Sequence, residues 1–473
     1  MRKFLRGFFR YMFNKDVFFI MLFTAIVAFA IQSININFDA LNPVEKMFGD
    51  FDMTDIYFSK IRNRKQEAGK GANIEDAKAD DRIIVVNIGG AEGGRQRLAD
   101  LLSIINQYQP ACVGIDAFYK SYKTDSVYAP INEALSEQFN NTKNLVMATE
   151  AFFKTKTLEK INVEEDFEPN FDSLLTSHPN FMNKAQSGLV NLITEGTRDR
   201  LARTDLSGGL ATCRTFSPRE KINGKEHLAF GVQLAKLYAP EKVERFLKRG
   251  NEVEHINYYG NYVKFGYVNF TNVLEMAMAA EEGDEGAKNA LKENFKGKIV
   301  LFGFTGVEDI QKVTSDEDRF FTPLNDNYVG RAEKDMYGIH IHANIISMIL
   351  NEEYIDTMPD WLDYLIVFLI SYITTALFVF LNEKLDFWYD GLSILVQFLL
   401  SLVIVFAILQ VFAIYKTKVD WSLGFLAIVF IPNLVEVYYG AVTKIYERRQ
   451  KIKRYKNKQV ATLGVEESNQ ESE

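Results

Sequence analysis

The sequence predicts an α/β extracytoplasmic domain, a mostly parallel sheet flanked by helices, carried by four transmembrane α-helices. Three observations lead there. Residues 17–35, 361–381, 392–415 and 421–442 are apolar runs of about the 20 residues that a helix needs to cross a bilayer core. Between the first and second run, short β-branched stretches alternate with helical periodicity, the signature of parallel strands joined by crossover helices. Basic residues flank the first and last runs on the side that the positive-inside rule assigns to the cytoplasm.

Residues 1–16 carry Arg2, Lys3, Arg6, Arg10 and Lys15, which hold the N-terminus inside while residues 17–35 cross outward. A cleaved signal peptide is the competing reading, because Ala28-Phe29-Ala30 fits a small-x-small cleavage pattern; either way residues 36–360 lie outside. The outside stretch is long enough for one large domain with its own core. Val44–Ile61 has amphipathic helical spacing, and Ile83–Ile88 is a buried strand. Gly89–Gly94 is a sharp turn, Gln96–Tyr108 an amphipathic helix ended by Pro110, and Ala111–Ala117 the next strand. Leu145–Ala148 and Lys298–Phe304 read as further buried strands, the latter after a helix ending near Phe295. Residues 120–180 and 313–337 are polar and irregular and read as surface insertions.

The runs 361–381, 392–415 and 421–442 are joined by short polar connections and have Trp361, Trp388 and Trp421 at their ends, where indoles favour the headgroup region. Counting crossings puts residues 443–473 in the cytoplasm, and the basic series from Lys444 to Lys458, Arg448 and Arg449 among it, agrees. That series anchors topology and offers a surface to anionic lipid or an acidic partner.

Net charge is −8, and no basic stripe with interleaved aromatics appears, so nucleic acid is excluded as a partner. Cys112 and Cys213 are the only cysteines; two buried free thiols are the preferred reading, a disulfide the alternative. Gly89, Gly90, Gly93 and Gly94, with Arg95 beyond them, join a strand end to a helix start. Ligands, anions above all, bind at such points, although a tight turn explains the glycines equally well. Asp116 and Asp309 stand at strand ends, where they line a pocket or serve turn chemistry. His340 and His342 alternate and would share one face of a strand, but no third metal ligand has suitable spacing, so no metal or cofactor is expected. No positioned nucleophile accompanies the carboxylates, and no enzymatic activity is expected. Pro432 and Glu436 interrupt the last apolar run, as a hinge and partner contact or as an interfacial end.

Several stretches are similar to one family. FKGKIVLFGFTGVEDI (Phe295–Ile310), the Thr322-Pro323 step and YGIHIHANIISMIL (Tyr337–Leu350) resemble the type-two CHASE domain, as do DDRIIVVNIG, GRQRLADLL, VGIDAFY and SGLVNL in the same order. The family is the extracytoplasmic sensory domain that precedes bacterial histidine kinases, nucleotide cyclases and Ser/Thr kinases. The resemblance implies one span, the sensory domain and three further spans in the bacterial inner membrane. It also draws Thr322, His342 and Asn344 into a ligand site, with His342 capping a helix or bonding backbone. Where the family usually carries Ile-Asp after its first strand and Trp-Pro before the helix Arg, this chain has Asn87-Ile88 and Glu92-Gly93-Gly94. Residues 443–473 are too few for a kinase or cyclase, so the expectation is a sensory or regulatory subunit that signals through a separate protein, a homodimer being one form of it. The alternative is a structural docking subunit of an envelope complex.

Overall fold

The computed structural model describes residues 11–33, 52–62, 80–89, 94–154, 171–192, 212–261, 264–306, 318–325, 333–385, 389–419, 424, 427–442, 444–445 and 448–449. The chain divides into two compact units, residues 42–356 and residues 1–41 together with 357–473. Its first helix, α1 (Lys15–Ser33), belongs to the second of these.

The unit 42–356 is built on a seven-stranded sheet. In chain order its principal elements are β1 (Asp80–Asn87), α2 (Gly94–Gln107), β2 (Cys112–Ile115), α3 (Tyr128–Asn141), β3 (Leu145–Phe152), β4 (Ser173–Leu175) and β5 (Gln186–Leu189). Then follow α4 (Phe230–Tyr238), β6 (Phe265–Asn269), α5 (Phe270–Glu281), α6 (Glu285–Phe295), β7 (Ile299–Gly303) and α7 (Gly338–Asn351). The strand order is β6-β1-β7-β2-β3, with β5 parallel along the outer edge of β3 and β4 antiparallel to its end. All other pairings are parallel. β1 reaches β2 through α2 by stepping over β7, and β6 reaches β7 through α5 and α6 by stepping over β1.

Parallel strands covered on both faces read as unbroken apolar runs, and β1 and β7 show why. Ile84, Val86, Val300 and Phe302 point into one core with Leu98, Leu102 and Ile105 of α2, Leu135 and Phe139 of α3, and Phe295 of α6. Their neighbours Ile83, Val85, Ile299 and Leu301 are equally buried on the opposite face, where α4 and α7 lie. Those two helices press close: a Cβ on Gly114 would stand 2.6 Å from Leu234, and one on Gly303 2.6 Å from Ile339. Burying side chains on both faces at this packing density is the main driving force for the fold.

Three expectations are corrected here. Residues 120–180 are not a surface insertion throughout, because α3 sends Leu135 and Phe139 into the core. His340 and His342 lie on α7 and not on a strand, so their alternation puts them on different sides of a helix. Residues 53–62 are helical as expected, but as one α turn, Met53–Ile56, running into a π-helical segment, Tyr57–Arg62; residues 44–51 lie outside the described residues. Cys112 and Cys213 are both buried and free, and burial pushes the Cys112 thiol up to about 12.

The other unit holds α1, α8 (Asp360–Leu385), α9 (Tyr389–Tyr415) and the shorter apolar helix Ala427–Val442. Among the described residues two stretches, Asp360–Lys384 and Gly391–Tyr415, are long and apolar enough to cross a membrane. Val17 and Ile20 of α1 pack against Ala376, Val379 and Phe380 of α8 and against Ile431 and Val435 of the last helix. Tyr11 meets Phe380 edge-on at 5.2 Å, and the Tyr372 hydroxyl donates to the carbonyl of Met12.

Candidate functional site

Because β6, β1, β7 and β2 run in one direction, the chain leaves all four at the same edge of the sheet, the edge at which open parallel sheets bind ligands. Asn87 closes β1 there. Its side-chain oxygen accepts from the N–H of Gly89 at 2.8 Å and of Thr305 at 3.1 Å, and its amide donates to the carbonyl of Gly306 at 3.0 Å. One buried side chain thus ties the exit of β1 to the exit of β7. The approach is so close that a Cβ on Gly89 would lie 2.1 Å from the Gly306 oxygen. Thr305 then donates to the Tyr267 hydroxyl, on β6, at 3.4 Å.

Beside this clamp stand two carboxyls. Asp116 follows β2, its N–H held by the carbonyl of Phe302 at 2.8 Å. Asp318, in the left-handed region at φ 59°, accepts the N–H of Gly338 on its carbonyl at 3.0 Å and sets its carboxylate against the first turn of α7. Burial raises the Asp116 carboxyl to about 8, and the negative charge of Asp318 adds to the effect. Desolvation raises Asp318 itself to about 6. The positive end of α7 favours anions at this place, but the loss of water outweighs it.

Two more polar groups close the ring. The Tyr337 hydroxyl faces Gly306, where a Cβ would sit 2.9 Å from it, and the Arg319 guanidinium lies 5.6 Å from the Tyr337 ring. Tyr337 Oη and Arg319 Nε are buried without a hydrogen-bond partner. Buried polar atoms are seldom left so, since each costs about 1–3 kcal/mol. Chemically, the edge offers a donor, Arg319 Nε, to an acceptor group of a ligand, and the two carboxyls to a donor or cationic group of it. Among the described residues, no group of three His, Cys, Asp or Glu could hold a metal ion.

Of the residues singled out in the sequence, Gly89 and Asp116 come to this edge, and Gly94 opens α2. Gly90, Gly93 and Asp309 lie outside the described residues. Arg95 is engaged elsewhere: its guanidinium donates to Asn132 of α3 and to the Ser121 carbonyl at 2.8 Å, and stacks over Tyr119 and Phe181. It fastens the segment after β2 to α3. Thr322 donates its N–H, at 2.8 Å, and its hydroxyl to the Asp335 carboxylate, which burial still raises to about 6. His342 neither caps a helix nor bonds backbone through Nδ1, which has no partner; its ring meets Phe230 edge-on at 5.2 Å, and burial lowers it to about 3. Asn344 bonds the backbone of residues 259 and 260. In the other unit Pro432 is buried, its carbonyl accepting the Tyr389 hydroxyl at 3.1 Å, while Glu436, Arg448 and Arg449 are exposed. Asn87, Asp318, Arg319 and Tyr337 were not singled out as site residues. Two of them offered a signal: Asn87, at a strand end where the family carries other residues, and Tyr337, which opens the family-like stretch Tyr337–Leu350.

No curated protein and no solved structure matches the chain. The family model of the CHASE2 domain matches residues 24–376, which takes in the sheet, both helical layers and the clamped edge. A match over that much of the 473 residues establishes the family: the chain belongs to the CHASE2 domain family, whose members are extracellular sensory domains.

Proposed function

We propose that the protein is a membrane-anchored extracytoplasmic sensor that binds its ligand at the Asn87–Asp116–Asp318–Tyr337 edge and reports to a separate protein partner. One observation carries this reading. The family match begins inside α1 and ends inside α8, so the sensory domain is continuous with an apolar helix on either side. A ligand that binds one arrangement of these helices better than another shifts the population toward it. The unpartnered Tyr337 Oη and Arg319 Nε support a ligand at the edge. In this reading α1, α8, α9 and the helix containing Ala427–Val442 all span the bacterial inner membrane, both termini face the cytoplasm, and the basic segment from Lys444 onward recruits the partner. The role is regulatory and not enzymatic.

A second reading, a docking subunit of an envelope complex, draws on Val127 and Tyr128, which are exposed at the start of α3. One experiment separates the two: purification of the tagged full-length protein in mild detergent, with co-purifying proteins identified by mass spectrometry, beside a variant ending at Thr443. The sensor reading expects a cytoplasmic signalling protein whose recovery depends on the tail. Stoichiometric envelope proteins that ignore the tail would overturn it in favour of docking.

A further inference from the structure

The edge that closes over Asn87 brings together side chains of both charges, and among the described residues the chain pairs none of them with a partner. Residues 319–320 and 336–337 form a short antiparallel pair in which Arg319 stands directly opposite Tyr337. Opposite residues of such a pair share a face. Arg319 Nε and Tyr337 Oη are both buried without a hydrogen-bond partner, and the guanidinium rests over the Tyr337 ring at 5.6 Å. Among the described residues no carboxylate forms an ion pair with Arg319. A donor-rich cation and a phenol therefore face the same space with nothing to bind.

One residue earlier in the chain the sign reverses. Asp318 sets its carboxyl beside the first turn of α7, where a Cβ on Gly338 would stand 3.2 Å from Oδ1. Asp116, at the end of β2, lies near enough to feel its charge. Among the described residues no side chain donates to either carboxyl. Desolvation disfavours the charge on both, and at Asp116 the charge of Asp318 adds to it. A cation held between the two would offset both effects. Asp318 is exposed, so the edge opens to solvent on its acidic side.

The open groups thus fall into two halves, acidic and basic, that meet between residues 318 and 319. A ligand with only a cation would leave Arg319 Nε and Tyr337 Oη unsatisfied in the interior, which is costly. One with only an anion would leave two carboxyls of like charge facing each other. A single molecule that carries both charges answers the whole edge. We propose that the ligand is a small zwitterion, of the class of free amino acids, whose ammonium sits between Asp116 and Asp318 and whose carboxylate takes the Arg319 guanidinium and the Tyr337 hydroxyl. The inference rests on the sensor reading for its choice of this edge; it is independent of the partner and of the membrane topology.

The test uses the full-length protein in detergent. Thermal unfolding is recorded with each of the standard amino acids, β-alanine and γ-aminobutyrate in turn at about 5 mM, because a ligand that binds only the folded state raises the melting temperature. At least one should raise it saturably, and calorimetry then gives its Kd. Two derivatives of that compound separate the charges: the amide keeps the ammonium and loses the anion, and the N-acetyl form does the reverse. Each should bind at least about tenfold more weakly than the parent. Asp318→Asn should weaken the parent by a similar factor and leave the N-acetyl form as it was. Arg319→Gln should weaken the parent and leave the amide as it was. Unliganded melting of both variants shows that they fold. If none of these compounds raises the melting temperature, or if either derivative binds as tightly as the parent, the zwitterion is overturned. A parent that binds both variants as tightly as the native protein removes the edge itself as the site. The sensor reading stands or falls separately, on the partner test above.

Discussion

One helix, α7, meets two kinds of polar surroundings, and the contrast separates structure from function. Along the face Asn344, Ser347 and Asn351 every polar group is matched. Asn344 accepts the N–H groups of Tyr259 at 2.8 Å and Gly260 at 3.3 Å, and donates to the carbonyls of Gly260 and His340, both at 2.9 Å. Ser347 donates to Asp80 at 2.6 Å, Asp80 takes a two-pronged contact from Arg82, and Arg82 continues to Asn351 at 2.7 Å. At the first turn of the same helix, Tyr337 Oη, Arg319 Nε and both ring nitrogens of His340 have no partner. Satisfied networks rigidify a core, while unsatisfied ones cost stability and persist where something else is meant to bind.

The largest effect should come from breaking the matched face. Asn344→Ala leaves backbone groups of residues 259 and 260 unpaired in the interior, and thermal unfolding of the full-length protein should show a loss of about 3–5 kcal/mol. The unmatched edge should behave in the opposite sense. Asp116 is held at about 8 in the folded protein against 3.8 for an ordinary carboxyl, so the folded state binds the extra proton and loses stability as pH rises between those values. Asp116→Asn should therefore stabilise the protein by about 2 kcal/mol at about pH 9, after allowance for its partial exposure, and by nothing below about pH 4. Denaturation at the two pH values checks this; an Asp116→Asn protein weakened at both would make the edge structural after all.

Ser347→Ala should cost about 1 kcal/mol at neutral pH. Burial pushes Asp80 up, but the bonds from Arg82 and Ser347 hold it below the usual carboxylate range. Its stabilisation is present above the ordinary carboxyl pKa and lost as pH falls through the lowered one, so the cost of Ser347→Ala should shrink in acid. The smallest effect at neutral pH should be His340→Leu, within about 1 kcal/mol, because no hydrogen bond is lost. Burial lowers His340 to about 4 from 6.5, so the native protein loses about 1.4 kcal/mol per pH unit at this residue between those values. The leucine variant should lack that part of the acid sensitivity in melts recorded at about pH 5.

The parallel core was legible because burial on both faces leaves a strong local mark. Ile83–Ile88 and Lys298–Phe304 could hardly be anything but covered strands, and they are β1 and β7. α3 was not legible, since only Leu135 and Phe139 of its hydrophobic residues are fully buried and polar residues surround them. β6 was missed for the same reason: at the edge of the sheet, FGYVN needs little apolar character. At the site, Asp116 stood out as an acid after a strand. Its companions did not, because Asp318 and Arg319 arrive from a segment some 200 positions later with no motif to announce them, and Tyr337, though it opens the stretch Tyr337–Leu350, reads there only as the residue before a helix. Arg95 misled for a related reason: a cation after a glycine turn suits an anion site, but the aromatic and amide groups that actually hold it come from elsewhere in the chain.

In the proposed membrane-spanning reading, the length of α9 has a consequence for the surrounding lipid. Its apolar stretch of 25 residues would measure about 37 Å along the axis, against about 30 Å for the hydrocarbon of an average bilayer. Only 17% of its apolar window is covered by the rest of the chain, against 44% for Asp360–Lys384. The better-covered helix has neighbours to set its angle, whereas α9, placed in a bilayer, would have to relieve the hydrophobic mismatch by tilting or by thickening the bilayer around it, at a fraction of a kcal/mol per Å. In that reading membrane thickness becomes a variable to which the protein is coupled, and a thin bilayer and a thick one present it with different resting tilts.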